Sequence, residues 1–307
     1  MLDTSKFKSH GLDEQDSASL MHRNEVKFML PVSALVDCLD LLSSNYTVLE
    51  INGKRNFHYL SNYFDTESFE FYRAHHNGKA NRYKIRIRHY VDSLLSFLEV
   101  KYKDVKGRTH KYRIPIEQGC QTYREFEKHK EREADNFVQR FIGQTFSQLT
   151  PILNIGYHRV TLLGMNVEER VTIDTNLYFS DRGTGDSKCL CKTAIVEIKR
   201  KNGLKDSVAY QLFRSRNFRT TSCSKYCLGM ALSREQDVKM NRFKPILQRL
   251  DRIEGLTSLK TQNGQKGLAG YDKHSVQNRL PYHYSLLSRQ AKSSNKLSVI
   301  GSYYEQY

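Results

Sequence analysis

The chain has 307 residues, enough for one large core or two small ones, and supplies 19 Tyr and 15 Phe but no Trp. Lys plus Arg number 49 against 33 Asp plus Glu, a formal net charge of +16 at pH 7 that calls for an anionic partner: nucleic acid, an anionic membrane surface or a phosphate-rich small molecule. Scattered cysteines in so long a chain suit reduced thiols in a cytoplasm better than a disulfide scaffold, and no apolar run reaches the roughly 18 residues of a membrane span.

Residues 1–20, MLDTSKFKSHGLDEQDSASL, lack the apolar stretch of a secretory signal and are expected to be a loose polar arm. Residues 21–255 contain no long linker and no repeat of fixed length, so they are expected to form one domain. Residues 256–307 are rich in Gly, Ser, Asn and Gln and are expected to be a flexible tail.

Within 21–255, alternation of period two predicts strands over Arg23–Leu30, His58–Asp65, Arg82–Tyr90, Ser96–Lys103, Thr109–Glu117, Asn154–Leu163, Arg170–Phe179 and Thr193–Arg200. Helical period takes over in Pro31–Leu42, where Val32, Leu35, Leu39 and Leu42 share a side. It returns in Ala134–Phe146, through Ala134, Phe137, Val138, Phe141 and Ile142. Further helices are expected near 205–216 and 225–254, the latter broken near Pro245. His75-His76 before Asn-Gly reads as loop, and Gly183-Thr-Gly185 as a turn. Cys189-x-Cys191 and Cys223-x3-Cys227 lack the spacing of a zinc finger or ribbon. About eight strands with interspersed helices predict an antiparallel α+β domain, with barrel closure the natural way to remove sheet edges.

The strand faces are unequal. Lys84, Arg86 and Arg88 alternate with Ile85 and Ile87, so one face of that strand is cationic and the other apolar. Glu25 and Lys27, Glu99 with Lys101 and Lys103, Lys111 with Arg113, Arg170 with Asp174, and Glu197 with Lys199 repeat the pattern. A merely solvated face would mix Thr, Ser, Gln and both charge signs. Here cations cluster with isolated carboxylates, an arrangement that water or a polyanion must satisfy.

Guanidinium and ammonium groups neutralise phosphate oxygens, and a few carboxylates can hold Mg²⁺ or Mn²⁺ against them. Positioning and charge neutralisation do most of the work of phosphoryl transfer, so such a face suits triphosphate chemistry. No G-x4-G-K-[ST], credible G-x-G-x-x-G, His-Glu-x-x-His or ordered Ser/His/Asp set competes with this reading.

Seven motifs then stand in order: Arg23-x-Glu25-x-Lys27-Phe28, Tyr63-Phe64-Asp65-Thr66, Lys84-Ile-Arg86-Ile-Arg88-x-Tyr90, Leu98-Glu99-x-Lys101, Arg170-Val-Thr-Ile-Asp174, Val196-Glu197-Ile-Lys199 and Ser224-Lys225-Tyr226. Together they resemble the VTC domain, the polyphosphate polymerase branch of the triphosphate tunnel metalloenzymes, over roughly residues 21–250. The resemblance implies an eight-stranded antiparallel β-barrel flanked by helices. It also implies a metal-dependent transfer of the ATP γ-phosphate to growing inorganic polyphosphate.

By motif position Lys27, Arg86, Arg88, Lys101, Arg159 and Arg170 resemble the basic lining, Lys225 the lysine near the terminal phosphates, and Glu197 the ligand of Mn²⁺ or Mg²⁺. Lys111 and Lys199 join the lining by face alone. Lys27, Arg86, Arg88, Lys101 and Lys225 are thus the catalytic candidates, with Arg159, Arg170, Lys111 and Lys199 binding substrate. Glu25 and Glu99 would assist the metal or pair with neighbouring cations. Related hydrolases and cyclases open with Glu-x-Glu-x-Lys, whereas this chain has Arg23 first. Eukaryotic polymerases carry a second lysine where this chain has Ser222. Both are departures from the pattern.

The partners so implied are ATP and inorganic polyphosphate. A tripolyphosphatase or nucleoside triphosphatase using water as acceptor, and a non-catalytic binding module, are the alternatives. Nucleic acid is not expected, because Phe28, Tyr90 and Tyr102 lie opposite or beyond the cations rather than beside them for base stacking.

Overall fold

The computed structural model describes residues 2–17, 24–117, 120, 128–201, 203–222 and 224–255. Arg23, Cys223, residues 18–20 of the N-terminal stretch and the whole C-terminal stretch 256–307 lie outside them. The first elements are β1 (Ser9–His10), α1 (Leu12–Ser17), β2 (Asn24–Pro31), α2 (Val32–Ser43) and β3 (Tyr46–Leu49). Next come β4 (Phe57–Asp65), α3 (Glu70–His76), β5 (Arg82–Tyr90), β6 (Leu95–Lys103), β7 (Thr109–Ile116) and α4 (Lys128–Ile142). They are followed by β8 (Thr150–Gly164), β9 (Glu169–Asp181), β10 (Ser187–Leu190) and β11 (Thr193–Arg200). The last are α5 (Val208–Ser215), β12 (Thr220–Thr221), α6 (Lys225–Ser233) and α7 (Lys244–Glu254). The class is α+β, with a large, mainly antiparallel sheet. No helix among the described residues is long and apolar enough to cross a membrane.

Strand order runs β12-β2-β11-β9-β8-β4-β5-β6-β7, with β10 added on β9, β3 on β8, and β1 parallel on β3. Among the described residues this order has two ends. The pairing therefore does not close into the eight-stranded barrel implied by the resemblance. The ends explain themselves: β12 is two residues long, and β7 carries Lys111, Arg113 and Pro115, the charges and proline that blunt an edge strand.

Two compact units are distinct among the described residues: 2–60 with 154–255, and 61–153. No linker divides them, because β4 and β8 each run from one into the other. In the first unit, α2 lays Leu35, Cys38, Leu39 and Leu42 onto one sheet face with Phe28, Val171, Ile173, Val196 and Ile198. That face is the apolar half of the alternation, and each such large side chain contributes about 1.5–3 kcal/mol of burial. Leu2 and Phe7 of the N-terminal stretch join this core, and Arg55 donates to the Thr4 carbonyl at 2.6 Å.

In the second unit, Ala134, Phe137 and Val138 of α4 cover Ile85, Ile87, Leu98 and Val100. The helix stops at Ile142 rather than Phe146 because Gly143 takes a φ of 73°. His75 and His76, expected in a loop, instead close α3. Asp65 starts that helix, accepting the N–H groups of Thr66, Phe71 and Tyr72 at 2.8, 2.9 and 2.9 Å. The expected helix over 225–254 is two helices, and Pro245 opens α7 instead of breaking it, since a first-turn proline forfeits no intrahelical bond.

Candidate functional site

In the second unit the hairpin register sets Lys84 opposite Lys101 and Lys101 opposite Lys111. The neighbouring row is Arg86, Glu99 and Arg113, and Arg88 stands opposite Phe97. Directly paired residues share a face, so these cations line one side of three strands while the α4 core occupies the other. Glu99, 1% exposed, is the central carboxylate. Arg86 donates Nε and Nη2 to its Oε2 at 2.8 and 2.6 Å, and Lys111 Nζ reaches Oε1 at 2.6 Å. Arg86 Nη1 also donates to the Tyr63 hydroxyl at 2.7 Å. Burial alone would raise the Glu99 pKa, but Arg86, Arg88 and Lys111 hold it far below the usual carboxylate range.

In the first unit Lys27 of β2, Glu197 of β11 and Thr172 of β9 stand in one row, with Glu25, Lys199 and Arg170 in the next. Glu197 is clasped by Lys199 on Oε1 and by Lys27 on Oε2 at 3.1 Å, and Lys27 also pairs with Glu25. Against the effect of burial, the two lysines keep Glu197 well below its ordinary pKa. Farther along the same face Asp174 accepts a fork from Arg159, Nε at 2.6 Å and Nη2 at 2.8 Å. Lys225 Nζ reaches the same carboxylate at 2.5 Å. The Tyr157 ring underlies both cations, 5.2 Å from the Arg159 guanidinium and 4.8 Å from Lys225 Nζ. Tyr59 stacks on Tyr157 at 5.4 Å and faces Arg159 as well. Lys225 is placed by the start of α6, where Ser224 accepts the Cys227 N–H.

The structure thus gathers Arg86, Arg88, Lys101 and Lys111 on one face in the second unit. In the first it gathers Lys27, Glu197, Lys199 and Arg170, with Arg159 and Lys225 meeting on Asp174. Sequence reasoning assigned no role to Asp174, Tyr59, Tyr63 or Tyr157. Strand parity held the signal for the tyrosine beside Arg159: Tyr157 and Arg159 alternate along β8 and so share a face. Glu25 pairs with Lys27, and Glu99 with Arg86 and Lys111. The cysteines Cys189 and Cys191 are free thiols.

The donor set limits what metal fits. Among the described residues no three His, Cys, Asp or Glu side chains group as a ligand cluster, and both oxygens of Glu197 meet ammonium groups. An all-protein cage is therefore not built. A hard divalent cation taking one or two carboxylates here, and its remaining oxygens from phosphate and water, fits these residues.

A model of the VTC domain matches residues 22–234, and the chain belongs to that family. Comparison with curated proteins gives no significant match. Among solved structures, the chain is similar to a Bacillus halodurans protein provisionally named an adenylate cyclase. Identity there is 13%, covering 73% of this chain and 99% of that one, with a TM-score of 0.42. It is also similar to the Hippeastrum protein HpAC1, an adenylyl cyclase candidate with a dominant triphosphatase activity: 13% identity, 69% and 96% coverage, TM-score 0.44. The PH1819 protein of Pyrococcus horikoshii gives 12% identity, 69% and 98% coverage, and a TM-score of 0.39.

Proposed function

We propose that the protein is an ATP-dependent inorganic polyphosphate polymerase whose catalytic region is residues 21–255. Membership of the VTC family supports this reading. The observation that carries it is the row Lys84, Lys101 and Lys111, three like charges on directly paired strand positions. Glu99 answers Lys111 from the next row, and a chain of linked phosphates is the ligand that would answer the row along its length.

The reaction so proposed needs no water. A terminal oxygen of the acceptor chain attacks the γ-phosphorus of ATP, and a new P–O bond forms. The bond from that phosphorus to the β–γ bridging oxygen breaks, and ADP leaves with the oxygen, so atoms and charge balance. In the loose transition state negative charge spreads over the transferred group's oxygens, which cations held in fixed positions stabilise best.

Arg86, Arg88, Lys101 and Lys111 serve this in the second unit, and Lys27, Lys199, Arg170, Arg159 and Lys225 in the first. Asp174 takes Nε and Nη2 of Arg159, so Nη1 is the nitrogen offered to phosphate. Glu197, with Glu25 beside the shared Lys27, would hold the divalent metal. Once bound, that metal supplies further neutralisation of phosphate charge.

The test is product analysis of the purified protein with ATP and Mn²⁺. ADP formed in step with long acid-labile polyphosphate is expected. ADP with free phosphate in place of polymer would assign the hydrolase, a tripolyphosphatase or nucleoside triphosphatase, instead. Neither product, with tight polyphosphate binding, would assign a binding module.

A further inference from the structure

Three carboxylates, Glu99 and Asp174 buried and Glu197 half-buried, share one scheme, each lying between two cations. Glu99 joins Arg86 and Lys111, Glu197 joins Lys27 and Lys199, and Asp174 joins Arg159 and Lys225. Stability does not explain the repetition, because a buried ion pair roughly breaks even against apolar side chains of similar volume. Metal binding does not explain all three either, since the function proposed above takes Glu197 alone of them for the divalent cation. Both oxygens of Asp174 are engaged, one by Arg159 and the other by Arg159 and Lys225. Both oxygens of Glu99 are engaged likewise.

A carboxylate presents two oxygens to a guanidinium fork much as a phosphate does. Tyr157 backs the Arg159–Lys225 pair with its ring, so a preformed seat for two anionic oxygens exists with Asp174 filling it. We propose that Asp174 is an internal counter-ion: it holds Arg159 and Lys225 in register while phosphate is absent, then shares them with the incoming phosphate. It thereby lowers ground-state affinity and keeps both cations aligned for turnover. Glu99 acts in the same way on Arg86 and Lys111. Both are positioning residues, and the inference rests on the phosphate-binding part of the function proposed above.

The consequence separates this role from a structural one. Replacing Asp174 by its neutral isostere removes one competing charge and keeps the shape, so an inert phosphate chain should bind more tightly. Turnover should fall, because the two cations lose their alignment, and kcat and KM then decrease together.

The experiment titrates inorganic tripolyphosphate into the full chain by calorimetry without metal, then measures steady-state kinetics with ATP and Mn²⁺. For Asp174→Asn the expected result is a Kd lower by about tenfold, the equivalent of one pKa unit of charge interaction, with kcat down by at least that factor. Asp174→Glu, which keeps the charge, should bind with a Kd near that of the native chain. An unchanged or higher Kd for Asp174→Asn would overturn the inference. Should that variant not fold, Glu99→Gln is read in the same assay with the same two outcomes. The binding arm decides the counter-ion role even where ATP yields no polymer. Polymer formation with an unmoved Kd removes the counter-ion role alone.

Discussion

If polyphosphate binds as proposed, Lys111 makes its affinity depend on pH in a direction that can be worked out. Its ammonium is drawn to Glu99, but burial first, and then Arg88 and Arg86, lower its pKa to about 8. A lysine is charged below its pKa and neutral above it, so raising the pH through 8 removes a positive charge from the anion-binding face. Phosphate termini are already ionised in that range and do not add to the effect. If the bound complex requires the ammonium, affinity at about pH 9 falls about tenfold, or ~1.4 kcal/mol. Two-fifths of the side chain is exposed (40%), so screening reduces the expected loss to about threefold.

Stability moves the other way. Between pH 8 and the ordinary lysine value of about 10.4 the unfolded chain binds more protons at this position than the folded one, so the ligand-free protein gains stability as pH rises. Calorimetry with inorganic polyphosphate from about pH 7.5 to about pH 9.5, in buffers of different ionisation enthalpy, should show weakening affinity and uptake of a proton on binding. Lys111→Arg should flatten both trends. An equal alkaline loss in Lys111→Arg, or no loss in the native chain, would refute the reasoning.

Arg86→Ala should cost about 3–5 kcal/mol in urea unfolding, because Glu99 at 1% exposure keeps only part of its compensation; a cost under about 1 kcal/mol would show that water re-enters there. Glu197→Gln should shift the Mn²⁺ titration of turnover to about tenfold higher metal, and an unmoved titration would remove Glu197 from the ligand set. Asp65→Ala strips the acceptor from three backbone N–H groups and should lower the unfolding free energy by about 2 kcal/mol. If this cap is the whole of the Asp65 role, turnover of the variant at a permissive temperature should match that of the native chain.

The longer strands were legible because their two faces differ so sharply. Ile85 and Ile87 are fully buried while Lys84, Arg86 and Arg88 between and beside them are only partly buried, and alternation alone reports that. The boundaries of β5 and β11 coincide with those of the alternating runs. Helix α3 was hidden because its start depends on Phe69 in the left-handed region, at φ 58°, and on a carboxylate four residues before Phe69 in the preceding strand. β3, β10 and β12 are too short to show a period.

At the site, parity supplied the face on which each charge lies but not which cation reaches which carboxylate. Arg159 and Asp174 sit on different strands, and Lys225 comes from a helix start, so their meeting is a product of tertiary structure. Barrel closure is not confirmed by the pairing of the described residues, and the charges and proline of β7 make it a workable open edge.

The distribution of strain within β5, β6 and β7 is the strongest physical argument for an anionic ligand. On the α4 side these strands bury Ile85, Ile87, Leu98 and Val100, as stability demands. On the other side Lys84, Lys101 and Lys111 face one another directly, and each such like-charge neighbour is unfavourable by about 0.2–1 kcal/mol. Thr or Glu at Lys101 would relieve the row without touching the core. Glu99, one row away, shows the relief a carboxylate gives, since it settles Arg86 and Lys111 together. Because the repulsion is confined to one face of strands whose other face is packed for stability, the row fits the phosphate-chain ligand of the function proposed above. A linear chain of phosphates, with negative charge repeated along its length, answers a row of cations better than a single compact anion can.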